Sequence, residues 1–167
     1  MLPNKGSFDL THANSEIVYG RGAVRSLKKR LADRNLERGL IVCGSNVGAN
    51  DKLMDRLRKG LDDRFVGIFD GTTPGKSIED AYQGIEAIRR CEPDVLIGVG
   101  GGSSLDTTRQ MSVLEADGRS LDTIKRAAEK QSLDPPSPQG DQIPVIVVPT
   151  TFAGAADSSG GSLIVLS

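Results

Sequence analysis

The chain has 167 residues, with 21 basic against 22 acidic side chains and no tryptophan, a length that allows one domain, or one domain and part of another. The balanced charge offers no grip on nucleic acid or an anionic membrane surface. No apolar run reaches the roughly 18 residues of a membrane span, and the N-terminus lacks the basic-then-apolar pattern of a signal peptide.

Ser15 to Tyr19 reads as a first strand, ended by Gly20 and Gly22. Val24, Leu27 and Leu31 mark an amphipathic helix over 23–32. Leu40 to Cys43 is a short buried strand, followed by a polar turn from Gly44 to Gly48. Leu53, Met54, Leu57 and Leu61 give the next helix, Phe65 to Phe69 a further strand, and Asp70 to Gly75 a turn-rich loop. Ser77 with Asp80 resembles a capping box with aspartate in place of glutamate. The helix it opens carries Ile78, Ala81, Tyr82, Ile85 and Ile88. Val95 to Val99 is a buried strand, and the helix after it begins at Ser103 or Ser104 and runs to about Ala116. A polar helix over 121–130 follows, then a surface loop over 132–142 with Pro135, Pro136 and Pro138. Ile143 to Val148 is another buried strand, closed by Pro149, Thr150 and Thr151, and Leu163 to Leu166 reads as one more. Cys43 and Cys91 sit in or beside apolar segments, as buried free thiols do, which favours a cytoplasmic compartment.

Alternating short apolar strands and amphipathic helices predict an α/β fold: a Rossmann-like, doubly wound, mostly parallel sheet with helices on both faces. Its focus is the run from Asp94 to Asp106, where a strand turns through Gly100, Gly101 and Gly102 straight into a helix. Free amides and partial positive charge at the first turn of a helix suit an anion. Glycines let a phosphate approach the backbone, and Ser103 can cap the helix or donate to the phosphate. The run is not the dinucleotide G-x-G-x-x-G, and the chain has no Walker lysine. In doubly wound sheets ligands bind at the carboxyl ends of the strands. Four polar turns are therefore expected on one rim: Gly44 to Asn46, Asp70 to Pro74, Gly100 to Ser103, and Thr150 with Thr151. Such a rim suits a dinucleotide.

Three segments carry a family resemblance: Ile17-Val-Tyr-Gly-x-Gly22, the Gly-Val-Gly-Gly-Gly-Ser-x-x-Asp run ending at Asp106, and Ile143-Pro-x-Ile-x-x-Pro-Thr-Thr151. Together they resemble the N-terminal domain of the iron-containing alcohol dehydrogenases, a superfamily that also holds glycerol dehydrogenase and 3-dehydroquinate synthase. The resemblance implies one dinucleotide-binding domain over 1–167, with about 152–167 leading towards an α-helical C-terminal metal domain beyond Ser167. It implies that Gly100, Gly101, Gly102 and Ser103 hold the cofactor pyrophosphate, and that Asp106 sits beside them on the first helical turn. Thr150 and Thr151 would contact the nicotinamide half, and Gly44, Ser45 and Asn46 would lie near the adenosine ribose. It further implies hydride transfer between NAD(P) and a small alcohol or carbonyl substrate, with little turnover by this chain alone.

The departures from the family pattern matter as much. Where the family often has an aspartate at a strand end, this chain has Gly44, followed by Ser45 and Asn46, which can donate to a 2′-phosphate. NADP(H) is therefore expected to be accepted at least as well as NAD(H). The lysine often found in the family three residues after the aspartate that Asp106 matches is Arg109 here, which keeps the charge. Asp157 aligns with the glutamate of Thr-Thr-Ala-Gly-Thr-Gly-Ser-Glu and is a candidate active-site carboxylate; Asp157-Ser-Ser-Gly-Gly161 also resembles part of a dehydroquinate synthase motif. The resemblance implies that the family's iron or zinc ligands lie in the C-terminal domain; the single histidine here, His12, stands in a polar N-terminal segment and is expected to be solvated. Two alternatives stay open: a carbocycle-forming lyase domain of the dehydroquinate synthase type, and a non-catalytic nucleotide module. A homodimer is open through the edge of strand Leu163 to Leu166.

Overall fold

The computed structural model describes residues 8–12, 15–130 and 135–151. The expectations for Asp157 and for a strand over 163–166 lie outside the described residues, as does the His12 side chain. Two strands, β1 (Phe8–His12) and β2 (Ser15–Tyr19), pair antiparallel as a hairpin. The first of them is a correction to the sequence reading, which treats this segment as merely polar. A short 3-10 turn (Ala23–Ser26) then leads into helix α1 (Leu27–Ala32).

Among the described residues the main sheet has four parallel strands in the order β4-β3-β5-β6: β3 is Gly39–Val42, β4 Phe65–Phe69, β5 Val95–Gly100 and β6 Val145–Pro149. From β3 the chain first adds β4 on one side, then crosses back to place β5 on the other. The order therefore reverses between β3 and β5, which puts the topological switch point at their carboxyl ends.

Helices cover both faces. Leu40, Val42 and Leu96 point to one face, where they meet Ile78, Ala81, Ile85 and Ile88 of α4 (Ile78–Cys91) and Met111 and Leu114 of α5 (Gly102–Asp117). Ile41, Val95, Ile97 and Val99 point to the other, against Leu27 and Leu31 of α1 and Met54, Leu57 and Leu61 of α3 (Asp51–Leu61). This two-sided cover is why β3 and β5 are apolar without alternation and buried along their whole length. Between β3 and α3, Ser45–Gly48 forms a single helical turn, α2, where a polar turn is the sequence expectation. Helix α6 (Leu121–Glu129) completes the described elements.

Two glycines set how closely α5 sits. A Cβ on Gly98 of β5 would lie 2.7 Å from Thr108 Oγ1, and one on Gly84 of α4 would lie 2.5 Å from Met111 Sδ. Helix α5 is thus pressed against both β5 and α4 where no methyl group fits.

Candidate dinucleotide site

The four polar turns expected on one rim are brought together. At its centre β5 ends at Gly100, whose φ of +144° is a backbone state that L side chains rarely adopt. A Cβ there would also come within 2.9 Å of Ser104 Oγ. Gly101 is the N-cap of α5 and supplies no side-chain cap. Among the described residues a Cβ on Gly102 would meet nothing within 4 Å, so they leave open space beside the first turn of α5. The first turn carries no acidic residue. Its amides are therefore unmatched by side-chain acceptors from their own helix, while the partial positive charge of the helix end is intact.

The neighbouring turns are fastened to this one. Thr150 N donates to Gly100 O at 2.9 Å, which fixes the end of β6, and Thr151 Oγ1 would lie 3.2 Å from a Cβ on Gly101. Gly44 bridges Gly71, and Thr72 N donates to Cys43 O at 3.2 Å. Thr72 Oγ1 and Ser104 Oγ share a buried hydrogen bond of 2.7 Å. Ser45 and Asn46 are exposed at the start of α2, as are Thr150 and Thr151 at the end of β6.

Two assignments change. Ser103 does not cap the helix, because it is the second residue of α5 and its Oγ donates to Pro74 O at 3.3 Å. Asp106 is not on the first turn. The helix starts earlier than the sequence pattern indicates, at Gly102, so Asp106 falls one turn further in, with its side chain 2 % exposed. Its Oδ2 accepts from Lys76 Nζ at 2.6 Å, and Arg109 Nη1 stands 3.8 Å from Oδ1. Lys76 and Ser104 border the rim without being singled out by the sequence reading, whereas Thr72 falls inside its Asp70 to Pro74 turn. The advance signal for Thr72 and Lys76 is position: both lie between a strand end and a helix start on the expected rim.

Cys43 lies just beneath this rim. Burial, with a smaller contribution from Asp70, pushes its thiol up to about 11, so it is a neutral packing group at ordinary pH. Both cysteines are free. Among the described residues no group of three or more His, Cys, Asp or Glu side chains is placed to hold a metal ion, and no helix is long and apolar enough to cross a membrane.

Comparison with known proteins follows the same outline. Residues 14–167 match the sequence profile of the iron-containing alcohol dehydrogenases. The NAD-dependent methanol dehydrogenase of Bacillus methanolicus is 26% identical over 151 residues, covering 88% of this chain and 37% of that protein. The NADPH-dependent butanol dehydrogenase of Clostridium saccharobutylicum is 30% identical over 115 residues, 66% of this chain and 28% of that protein. The fold of sulfoacetaldehyde reductase from Bifidobacterium kashiwanohense, solved in complex with NAD+, superposes with a TM-score of 0.68 at 19% identity, over 80% of this chain and 34% of that one. The chain thus spans roughly a third of the length of these relatives.

Proposed function

The chain belongs to the iron-containing alcohol dehydrogenase family, and from that premise we propose that residues 1–167 form the nicotinamide dinucleotide-binding domain of an oxidoreductase acting on a small alcohol or carbonyl compound. The observation that carries this reading is the uncapped start of α5, open beside Gly102 among the described residues and standing at the switch point of the sheet.

The cofactor, when bound, exchanges a hydride with the substrate carbon. The chain's own residues bind and orient it. The amides of Gly102 to Ser104 donate to the pyrophosphate. Gly100 and Gly101 keep the approach clear of side chains. Thr150 and Thr151, at the far side of the turn, face the nicotinamide half. Ser45 and Asn46 lie at the adenosine end, where Gly44 replaces a carboxylate that would repel a 2′-phosphate. We therefore expect NADPH to bind at least as tightly as NADH. The names of the two relatives above divide between NAD and NADPH and favour neither. Among the described residues no set of side chains fits the family's metal. Asp157 keeps its assignment as a candidate active-site carboxylate on the strength of the family motif alone. The free thiols are in keeping with a cytoplasmic setting.

The test is a titration of NADPH and NADH into the purified protein, followed by nicotinamide fluorescence. No tryptophan is present to interfere. Saturable binding, with NADPH the tighter, is expected. The absence of saturable binding for both would overturn the reading. Tenfold tighter NADH would remove the selector role from Gly44, Ser45 and Asn46.

A further inference from the structure

We propose that Lys76 contacts the dinucleotide's pyrophosphate and that Asp106 is the positioning residue that holds it there. The inference rests on the dinucleotide reading above and deepens it. Asp106 is four residues beyond Gly102, so it lies on the same face of α5, about 6 Å along the axis from the open amides. Lys76 Nζ is 2.6 Å from Asp106 Oδ2, and the lysine side chain is still 33% exposed. An ammonium has three donors, and the carboxylate oxygen engages one of them.

Arg109, on the same helix, stands 3.8 Å from the other Asp106 oxygen, so the buried carboxylate does not depend on Lys76 alone for a cationic neighbour. The lysine is also held at some cost. Lys76 has a φ of +51°, a left-handed conformation unfavourable for a residue with a Cβ. Its loop is tied down on both sides, by Ser103 Oγ to Pro74 O and by Thr73 N and Oγ1 to Asp80 Oδ2. A lysine needed only to neutralise Asp106 would require neither its exposed flank nor so firm an anchorage.

The experiment titrates NADPH and NADH into wild-type protein, Lys76→Met, Lys76→Arg, Asp106→Asn and the Lys76→Met/Asp106→Asn double variant, at two salt concentrations. Lys76→Met is expected to weaken both cofactors by the same factor, about tenfold, and to flatten the salt dependence, because the pyrophosphate is common to both. Lys76→Arg should stay within about threefold of wild type. In the Asp106→Asn background the loss from Lys76→Met should shrink to about threefold or less, since the lysine is no longer held. The double variant removes both charges of the Lys76–Asp106 pair together and guards against misfolding of the single one. If wild type binds and Lys76→Met and the double variant bind equally well, this inference falls alone. A loss confined to NADPH would also overturn it, by moving the lysine to the 2′-phosphate. An equal loss from Lys76→Met in both backgrounds would overturn the role of Asp106. If wild type itself binds neither cofactor, the dinucleotide reading falls and takes this inference with it.

Discussion

Helices α4 and α5 lie on the same face of the sheet and each begins after a strand, yet their starts are built in opposite ways. Helix α4 satisfies its own end: Ser77 Oγ accepts from Asp80 N at 3.1 Å, and Glu79 and Asp80 place two carboxylates in the first turn. Helix α5 has a glycine cap, no acid in its first turn and, among the described residues, open space beside it. A helix start that closes on itself contributes stability to the fold. One that is left open gives up that contribution and keeps its amides and dipole for something from outside. The difference separates structural from functional use of the same backbone geometry within one face of one domain.

The sharpest way to break this comparison is to make α5 resemble α4. Gly102→Asp adds a carboxylate at the helix start through a Cβ that meets nothing within 4 Å among the described residues. It should abolish most cofactor binding, by about a hundredfold or more, while leaving the melting temperature unchanged or slightly raised, because an acid at a helix start is favourable. Fluorescence titration and thermal unfolding of the same sample read the two opposite signs; parallel losses in both would end the argument. A second substitution asks whether the neighbouring open turn serves the same ligand. Gly44→Asp should weaken NADPH about tenfold more than NADH, as a ratio of dissociation constants. A lower melting temperature is also expected, because a Cβ at Gly44 lies 3.0 Å from Thr72 O.

Ser77→Ala is the converse experiment on α4. Loss of the cap should cost about 1 kcal/mol in denaturant unfolding, with cofactor affinity within twofold of wild type. The smallest effect belongs to the far end of α5. There the hydrogen bond from Arg119, then the amide of Ser137, hold the Asp117 carboxyl below its ordinary value. A lowered folded value means that the stabilisation is present above about pH 4 and is lost as pH falls through the folded value. Asp117→Asn should therefore lower stability at pH 7 by no more than about 1 kcal/mol. The gap to wild type should narrow at pH 3, and cofactor binding should not change.

Much of this was visible in the amino-acid order because it is local. The apolar runs of β3 to β6, the glycine turn at 100–102 and the Ser77 cap each involve neighbouring residues, and each appears where the sequence places it, within a residue or two. The capping box is only half realised. Asp80 turns to Thr73 rather than back to Ser77, a choice made by the folded loop. The strand at Phe8–His12 carries its own signal, since Phe8 and Leu10 alternate with Asp9 and Thr11. That signal is too short to outweigh the polarity around it. Helix α2 is a single turn, and one turn has no period to detect. The pairing of Lys76 with Asp106 and of Thr72 with Ser104 joins residues about thirty apart, across two different βα connections. Only the closed sheet brings these together. Asp106 stands out in the sequence as the acid after the glycine turn, but its burial beside Lys76 does not.

The strand order has a consequence for how the chain is made. β3 is buried on both faces and pairs with β4 on one edge and β5 on the other. During synthesis it leaves the ribosome on the order of fifty residues before β5, an interval of several seconds at ordinary elongation rates. Until then Leu40, Ile41 and Val42 form an apolar segment with one edge unpaired. The nascent chain therefore passes through a window in which its future central strand is its stickiest part, and chaperone engagement is expected to concentrate there.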